Sequence, residues 1–414
     1  MEKVRLTPGK TLLSFLIASR ILKLLPRVYT EVAMPNISRR VFGLALAGSL
    51  GISHTSSFGN LTPAASDEEG ESQGGITDVP GVKVGHFTDS RRPTGCTAIL
   101  FEDGATGGVD YDGSGPEDFQ AGMLQPESAL QTIWGIMLSG GDSWGLSTAL
   151  GAMRYLEERG RGEHWFQGHP EMVVPLVVAS ILDDLSIGDG RIRPDAESGY
   201  QACQAASDGQ VREGCVGAGA GATVGTGSYY GGLGMKSGIG TASIRVGEFV
   251  IGAIVAVNAT GDIVDRAPGK ILAGARRKDG KGFVSLSESV RKQMADRLAP
   301  KTLTEVRPSM THTTIGVIAT NVEFSKSELA RIAQVANTGA AKVINPYHTP
   351  EDGDVLYAVS TRKLKLNGSP SQRDVAMVGI MAAEVVATAI VRAAKMATSI
   401  EGWPAYRDYT LRLS

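Results

Sequence analysis

The chain has 414 residues, 42% of them hydrophobic, which is enough apolar material for one large core or for two or three domains. Its formal charge of −2 at pH 7 excludes the basic excess that binding to nucleic acid or to an anionic membrane surface requires. The 53 glycines cluster without a collagen-like period, which indicates tight turns and close backbone contacts. The three cysteines have no metal-ligand spacing, so no metal site is predicted. Cys203 and Cys215 either pair in an oxidising compartment or are small buried residues.

Residues 1–74 are predicted to be a leader, an export signal and a linker. Ser38–Phe42 contains twin arginines and precedes a short apolar run ending at Ile52, a pattern typical of bacterial twin-arginine export. The run, about ten residues long, is too short to span a bilayer. We therefore expect a periplasmic or secreted protein with no stable membrane association after export. The alternatives are a membrane-anchoring or disordered leader, and a cytoplasmic protein if the leader does not function.

From Gly75 onward, strand and helix patterns alternate. Short apolar runs rich in β-branched residues predict buried strands at Met172–Ile181, Phe249–Asn258 and Thr314–Ala319. Helical spacing and a capping box predict a helix over Ser325–Ala336. Together these elements favour a layered α/β sandwich.

Two further segments have opposite compositions. Ala376–Met396 is long and apolar enough for a membrane helix, but its alanine content and its interrupting charges favour a buried core helix. Arg277–Thr311 is polar and is predicted to be a loop-like connector.

A candidate nucleophile stands at the head of a predicted strand. Thr313 and Thr314 follow a polar, proline-bearing stretch, and the chain has no Gly-x-Ser-x-Gly elbow of the α/β-hydrolase type. A threonine freed at a new N-terminus can be activated by its own α-amine, whose ordinary pKa is about 7.7–8.0. The residues alone leave open the alternative that these threonines merely begin a strand.

Several motifs resemble, in order, those of the DmpA and β-peptidyl aminopeptidase family, which includes the nylon-oligomer hydrolases. The resemblance runs from Gly75 to near the end of the chain, over Gly75–His86, Thr94–Ile99, Leu138–Leu146, Arg193–Asp195, Gly217–Gly225, Val255–Ala259, Thr313–Asn321, Asp352–Asp354 and Ala358–Thr361. It implies an α/β fold, a four-layer αββα sandwich similar to the Ntn hydrolases, in a single catalytic domain over residues 75–414. It also implies self-cleavage between residues 312 and 313, no cofactor, and a homo-oligomer of four or more subunits.

The resemblance also assigns roles to individual residues. Thr313 would be the nucleophile, and Asp352 and Asp354 lie 39 and 41 residues beyond it, where similar nylon-oligomer hydrolases carry an Asp-x-Asp pair. These carboxylates would orient the freed amine and accept its protons. Without the resemblance, the pair would be interpreted as an ordinary acidic turn.

Three more side chains are assigned in the same way. The resemblance places Asn258 in the oxyanion hole, where an amide N–H can donate to developing negative charge; the alternative is a strand cap. Lys236 matches a family lysine that is expected to face the nucleophile, although a lysine between glycines is normally solvated. Trp144 stands where relatives often carry Tyr or Phe near the substrate, so a tyrosine-hydroxyl role does not transfer.

His312 departs from the family pattern, because relatives usually have Asn or Gly before the nucleophile. The attacked carbonyl is expected in a strained turn that Gly or Asn adopts more easily than His. Autocleavage is therefore expected to be slow, or assisted by the imidazole.

The sequence thus predicts a self-processing N-terminal-threonine amidase or aminopeptidase that acts on short peptides or amino-acid amides. Three alternatives stay open: an endo-acting amidase of oligoamides, an acyltransferase of the ornithine acetyltransferase type, and a non-catalytic, uncut binding protein.

Overall fold

The computed structural model describes residues 74–413, apart from 112, 228, 267–268 and 299–311. The predicted export signal at Ser38–Ile52 lies outside the described residues. The strands are β1 (Lys83–Thr88), β2 (Gly95–Tyr111), β3 (Asp118–Phe119), β4 (Ile133–Ser139), β5 (Val177–Ile181), β6 (Thr223–Val224), β7 (Met235–Lys236), β8 (Ile239–Val246), β9 (Phe249–Asn258), β10 (Asp262–Val264), β11 (Ile271–Ala273), β12 (Thr313–Val322), β13 (Ile344–Asn345) and β14 (Val355–Leu364). The helices are α1 (Thr148–Glu157), α2 (Ala196–Gln204), α3 (Leu286–Leu298), α4 (Lys326–Ala340), α5 (Gln372–Met396) and α6 (Tyr406–Leu413).

Strand β2 links the two halves of the main sheet, whose order in the described residues is β3-β5-β4-β2-β14-β12-β9-β8, with β1 also paired to β2. The first part of β2 pairs with β1 and β4, and its register with β4 shifts between Leu100 and Ala105. From Thr106 onward β2 pairs with β14. The two halves face each other, since the hydroxyls of Ser180 on β5 and Tyr357 on β14 are hydrogen-bonded across the core.

Alternation along β12 shows how the layers share their core. All ten residues of this strand are buried between β9 and β14. Ile315, Val317 and Ala319 pack in the cluster between the sheet halves, whereas Ile318 and Val322 pack against the helices on the other face. Each fully buried branched side chain contributes roughly 1.5–3 kcal/mol. The predicted four-layer αββα sandwich of α/β class is confirmed, with β12 near its centre.

Two helix pairs cover the outer faces. Helices α1 and α2 pack on the half-sheet of β1, β2 and β4, and α4 and α5 pack on the other. Ser325 caps α4, its hydroxyl accepting from the Glu328 amide while the Glu328 carboxylate accepts from the Ser325 amide, so the predicted capping box is confirmed. Among the described residues, α5 is the one helix long and apolar enough to cross a membrane. More than half of it is buried against α4, β8 and β9, as expected of a core helix.

The structure corrects two predictions. The segment Arg277–Thr311 is not simply a loop, because Leu286–Leu298 forms helix α3. None of the residues of helix α3 is buried, so the helix lacks the periodic apolar pattern by which it could have been predicted. The predicted strand at Met172–Ile181 begins five residues late, at Val177, and Met172 is exposed. The three cysteines are free, and Cys96 and Cys203 are small buried residues.

Candidate active site

Thr313 begins the central strand β12 and lies directly opposite Asn258, the last residue of β9, in the antiparallel register. Both residues are buried, with side chains at most 6% exposed. Because the ladder fixes their backbones, the hydroxyl and the amide are held at the same end of the sheet. The structure therefore brings together two of the predicted site residues, which are 55 positions apart in the chain.

The carbonyl oxygen of His312 receives two hydrogen bonds. The Thr313 hydroxyl donates to it at 2.6 Å, and the backbone N–H of Gly353 donates at 2.9 Å. The hydroxyl is thus held beside the carbonyl group that it would attack, and the Gly353 N–H lies where negative charge would develop on the oxygen. A Cβ at position 353 would lie only 3.0 Å from the Thr313 hydroxyl oxygen, so glycine allows this close approach.

His312 forms a parallel bridge with Asp352, which holds the residue before the nucleophile beside Asp352. The strain expected at His312 stays a prediction. The His312 imidazole is buried, and Nε2 lies 2.6 Å from the Thr226 hydroxyl oxygen.

The Asp352-Gly353-Asp354 turn lies against this segment, with both carboxylates buried. Asp352 accepts hydrogen bonds from the backbone N–H of Thr260 at 3.1 Å and from the hydroxyl of Thr349 at 2.6 Å. Asp354 accepts from the backbone N–H of Thr314 at 2.6 Å. This last contact holds Asp354 one residue from the nucleophile, so the turn belongs to the site rather than to the surface.

Burial raises the pKa of Asp354 to about 6. The neighbouring carboxylate of Asp352 also raises it, whereas the contact with His348 and the Thr314 amide lower it. The His348 Nδ1 lies 3.4 Å from the Asp354 carboxylate, and its ring stacks on Tyr347. In the uncut chain, a carboxylate with this pKa can accept and return a proton near neutral pH.

Removal of His348 should move the pH dependence of turnover. Because its contact lowers the pKa of Asp354, His348→Ala should raise that pKa, and the acid limb of the kcat profile should shift to higher pH. The exposed His164 provides a matched control, since His164→Ala should leave the profile unchanged. An unshifted acid limb in a folded, cleaved His348→Ala protein would contradict the assignment of that limb to Asp354.

The side-chain amide of Asn258 is held in one orientation. Its Oδ1 accepts from the backbone N–H of Thr223 at 2.9 Å and from the Thr223 hydroxyl at 3.3 Å. Its Nδ2 donates to the Asp183 carbonyl at 3.0 Å. The following residue, Asp184, is itself fixed by a buried ion pair with Arg92. The donor nitrogen of Asn258 is therefore oriented by a rigid surrounding, as an oxyanion-hole donor must be.

Lys236 is fully buried next to this amide, because it pairs with Thr223 in the β6–β7 ladder. Its ammonium donates to the carbonyls of Gly219, Ala222 and Ser237 at 2.7–3.3 Å. Burial lowers the pKa of this lysine. Lys236 thus fixes the glycine-rich backbone that leads to Thr223.

Trp144 lies in a short 3-10 helix, Asp142–Ser147, and its side chain is 55% exposed. The Arg193 guanidinium stacks over its ring at 3.8 Å from the centroid. The N–H of Gly141, which directly precedes this helix, donates to the Asp184 carboxylate. The helix that carries the tryptophan is thus joined to the Asp183–Asp184 segment that contacts Asn258.

The chain matches a known family, described as Peptidase family S58, over residues 74–406. The chain belongs to peptidase family S58. It is therefore a peptide-bond hydrolase with an N-terminal nucleophile, and the resemblance inferred from its motifs is confirmed.

Relatives and solved structures agree with this membership. An uncharacterized aminopeptidase of Mycobacterium leprae is 34% identical, the match covering 80% of this chain and 92% of the relative. A 6-aminohexanoate-oligomer endohydrolase of a Kocuria species is 31% identical over 77% of this chain and 85% of that protein. The L-aminopeptidase D-Ala-esterase/amidase of Ochrobactrum anthropi, a variant of the Ntn hydrolase fold, has 19% identity and a TM-score of 0.56, covering 78% and 86% of the two chains. The Burkholderia β-aminopeptidase has 21% identity, a TM-score of 0.55 and coverages of 82% and 94%. Both structures share the fold with this S58 chain.

Three contributors to the site were not singled out from the sequence. Gly353 is the middle residue of the Asp-x-Asp motif, so the motif itself indicated that its N–H lies near the site. Thr226 directly follows the glycine-rich motif, but nothing in the sequence indicates its contact with His312. His348 reaches Asp354 only because its backbone adopts a left-handed conformation, with φ of 59°.

Proposed function

We propose that this S58 chain cleaves itself between His312 and Thr313, and that Thr313 then acts as the N-terminal nucleophile. The observation that supports this most directly is the pair of hydrogen bonds at the His312 carbonyl, from the Thr313 hydroxyl and the Gly353 N–H. Because Thr313 directly follows His312 in the chain, its hydroxyl lies next to the peptide bond that is cleaved.

Self-cleavage proceeds through an ester. The Thr313 oxygen attacks the His312 carbonyl carbon, and the bond from that carbon to the Thr313 nitrogen breaks, which frees the α-amine. Water then hydrolyses the ester, so that His312 gains a terminal carboxylate and Thr313 regains its hydroxyl. The buried carboxylate of Asp354, which accepts from the Thr314 N–H, lies one residue from the new amine and favours its protonated form when it is charged.

Catalysis repeats this chemistry on an external amide. The Thr313 hydroxyl attacks the substrate carbonyl while its own amine takes the proton and passes it to the leaving amine. Asn258, together with backbone N–H groups, stabilises the oxyanion, and water releases the acyl group. The substrate is a short peptide or amino-acid amide with a free amine, cut after its first residue.

A substrate panel tests this activity. Purified protein should release p-nitroaniline from amino-acid p-nitroanilides, and a sample that remains uncut should not. An uncut, folded protein that hydrolyses none of them would instead support the non-catalytic binding protein. Size-exclusion chromatography with light scattering should show a homo-oligomer.

A second candidate is an endo-acting amidase of oligoamides. It is favoured by the Asp352-Gly353-Asp354 motif and by the 31% identical 6-aminohexanoate-oligomer endohydrolase. Linear 6-aminohexanoate oligomers with a blocked amine distinguish the two modes. An endo-acting enzyme cleaves the blocked oligomers internally, whereas an aminopeptidase leaves them intact.

We also propose export by the twin-arginine route, on the basis of Ser38–Ile52. Fractionation should find the wild type outside the cytoplasm and the Arg39→Lys/Arg40→Lys protein inside it. Normal export of the double variant would show that this segment is not the signal.

A further inference from the structure

Before cleavage, the His312 side chain occupies a polar recess beside the nucleophile. The imidazole is 3% exposed, and its Nε2 lies 2.6 Å from the Thr226 hydroxyl oxygen. Thr226 is itself only half-buried. This contact has no part in the chemistry described above.

The wall that carries Thr226 is rigid. A Cβ on Gly225 would lie 2.1 Å from the Ala275 nitrogen, and one on Gly227 would lie 2.3 Å from the Thr260 methyl carbon. The Thr226 methyl carbon is packed against Gly234, where an added Cβ would lie 2.2 Å from it. The backbone on both sides of Thr226 is therefore closely packed, with its methyl group against Gly234 and its hydroxyl in contact with the imidazole.

The recess adjoins both parts of the proposed machinery. Thr223, three residues before Thr226, holds the Asn258 amide. On the other side, His312 forms a bridge with Asp352, whose carboxylate is buried.

Self-cleavage and substrate hydrolysis pass through the same kind of ester on the Thr313 oxygen. In the first ester, the acyl group is that of His312; in the second, it is that of the substrate residue before the cut. In both esters, the side chain of the acyl residue must fit next to the Thr313 oxygen. The region that accommodates His312 is available to the substrate once the new chain end withdraws.

We propose that Thr226 is the specificity-determining residue of the acyl-side pocket, and that this pocket selects a side chain ending in a hydrogen-bonding nitrogen, as histidine does. This inference rests on the proposed function and adds the substrate class. Loss of one such hydrogen bond in a closed site lowers kcat/KM by about tenfold.

The test compares histidine and leucine p-nitroanilides on three cleaved proteins. Wild type should prefer histidine by about tenfold in kcat/KM. Thr226→Val should bring this ratio close to one, and Thr226→Ser, which keeps the hydroxyl, should retain it. If Thr226→Val does not mature, the same comparison is made between His312→Gly and His312→Gly/Thr226→Val, in which cleavage cannot depend on the imidazole contact.

The outcomes separate this inference from the function on which it rests. Equal rates on the two substrates by wild type, or an unchanged ratio in Thr226→Val, would overturn the pocket assignment and leave the amidase intact. A cleaved protein that hydrolyses no amide at all would overturn the proposed function, and the pocket with it.

Discussion

Thr313→Ala should yield a single uncut chain with no detectable amidase activity. The substitution removes the oxygen that attacks the His312 carbonyl. Loss of a covalent nucleophile should lower activity by roughly 10³-fold or more. Self-cleavage is measured by denaturing electrophoresis and intact mass, and amidase activity is measured by p-nitroanilide hydrolysis. Thr313→Ser should restore both at least in part.

The adjacent threonine supplies the matched control for that experiment. Thr314 is also buried at the strand start, but its hydroxyl has no hydrogen-bond partner in the structure. Thr314→Val keeps the shape of the side chain, so the protein should still cleave and remain active. Cleavage that survives in Thr313→Ala and fails in Thr314→Val would show that the nucleophile has been misassigned by one residue.

Asp354→Asn should lower kcat by about 10²–10⁴ while changing KM much less. The buried carboxylate faces the segment that carries the nucleophile's amine, and a proton-accepting partner typically supplies that factor in the transition state. Asn keeps an oxygen to accept the Thr314 N–H, so the turn should remain folded. Circular dichroism checks the fold, and Asp103→Asn at an exposed position is the control. A well-folded, cleaved Asp354→Asn enzyme with near-normal kcat would show that the carboxylate is structural.

In the uncut chain, kept uncut by Thr313→Ala, the same substitution should stabilise the protein above pH 6. The folded-state pKa of Asp354 is about 6, above its ordinary value of 3.8, so the folded state binds this proton more tightly. The contribution of Asp354 to the free energy of unfolding therefore falls as pH rises from about 4 to 6, by roughly 2–3 kcal/mol in all. Asn removes this cost, so Tm should rise at pH 7.5 and change little at pH 4. No rise at pH 7.5 would contradict the raised pKa.

Much of the fold could be predicted because local patterns and tertiary packing agree. Phe249–Asn258 forms a strand with the predicted bounds, and α4 begins at the predicted capping box. In each case, the residues that favour the element also lie in the core. Helix α3 could not be predicted in this way, because a helix with no buried face leaves only a weak periodic signal.

The residues of the site could be predicted only in part. Family motifs indicated Thr313, Asn258 and Asp352–Asp354, and the β9–β12 register and the turn at Gly353 bring them together. The contact of Thr226 with His312 could not be predicted, since it joins positions 86 residues apart. The contact of His348 with Asp354 could not be predicted either, since it depends on the conformation of the loop that carries both residues. The sequence suggested strain at His312 but did not indicate its bridge to Asp352.

The most direct test of the account is N-terminal sequencing and intact mass of the protein purified from its native host. Cleavage before Thr313 should give two fragments, the smaller of which begins with Thr313 and extends to the end of the chain. A smaller fragment that begins at Thr314 or Ser309, or a protein that remains one chain yet hydrolyses amides, would contradict it.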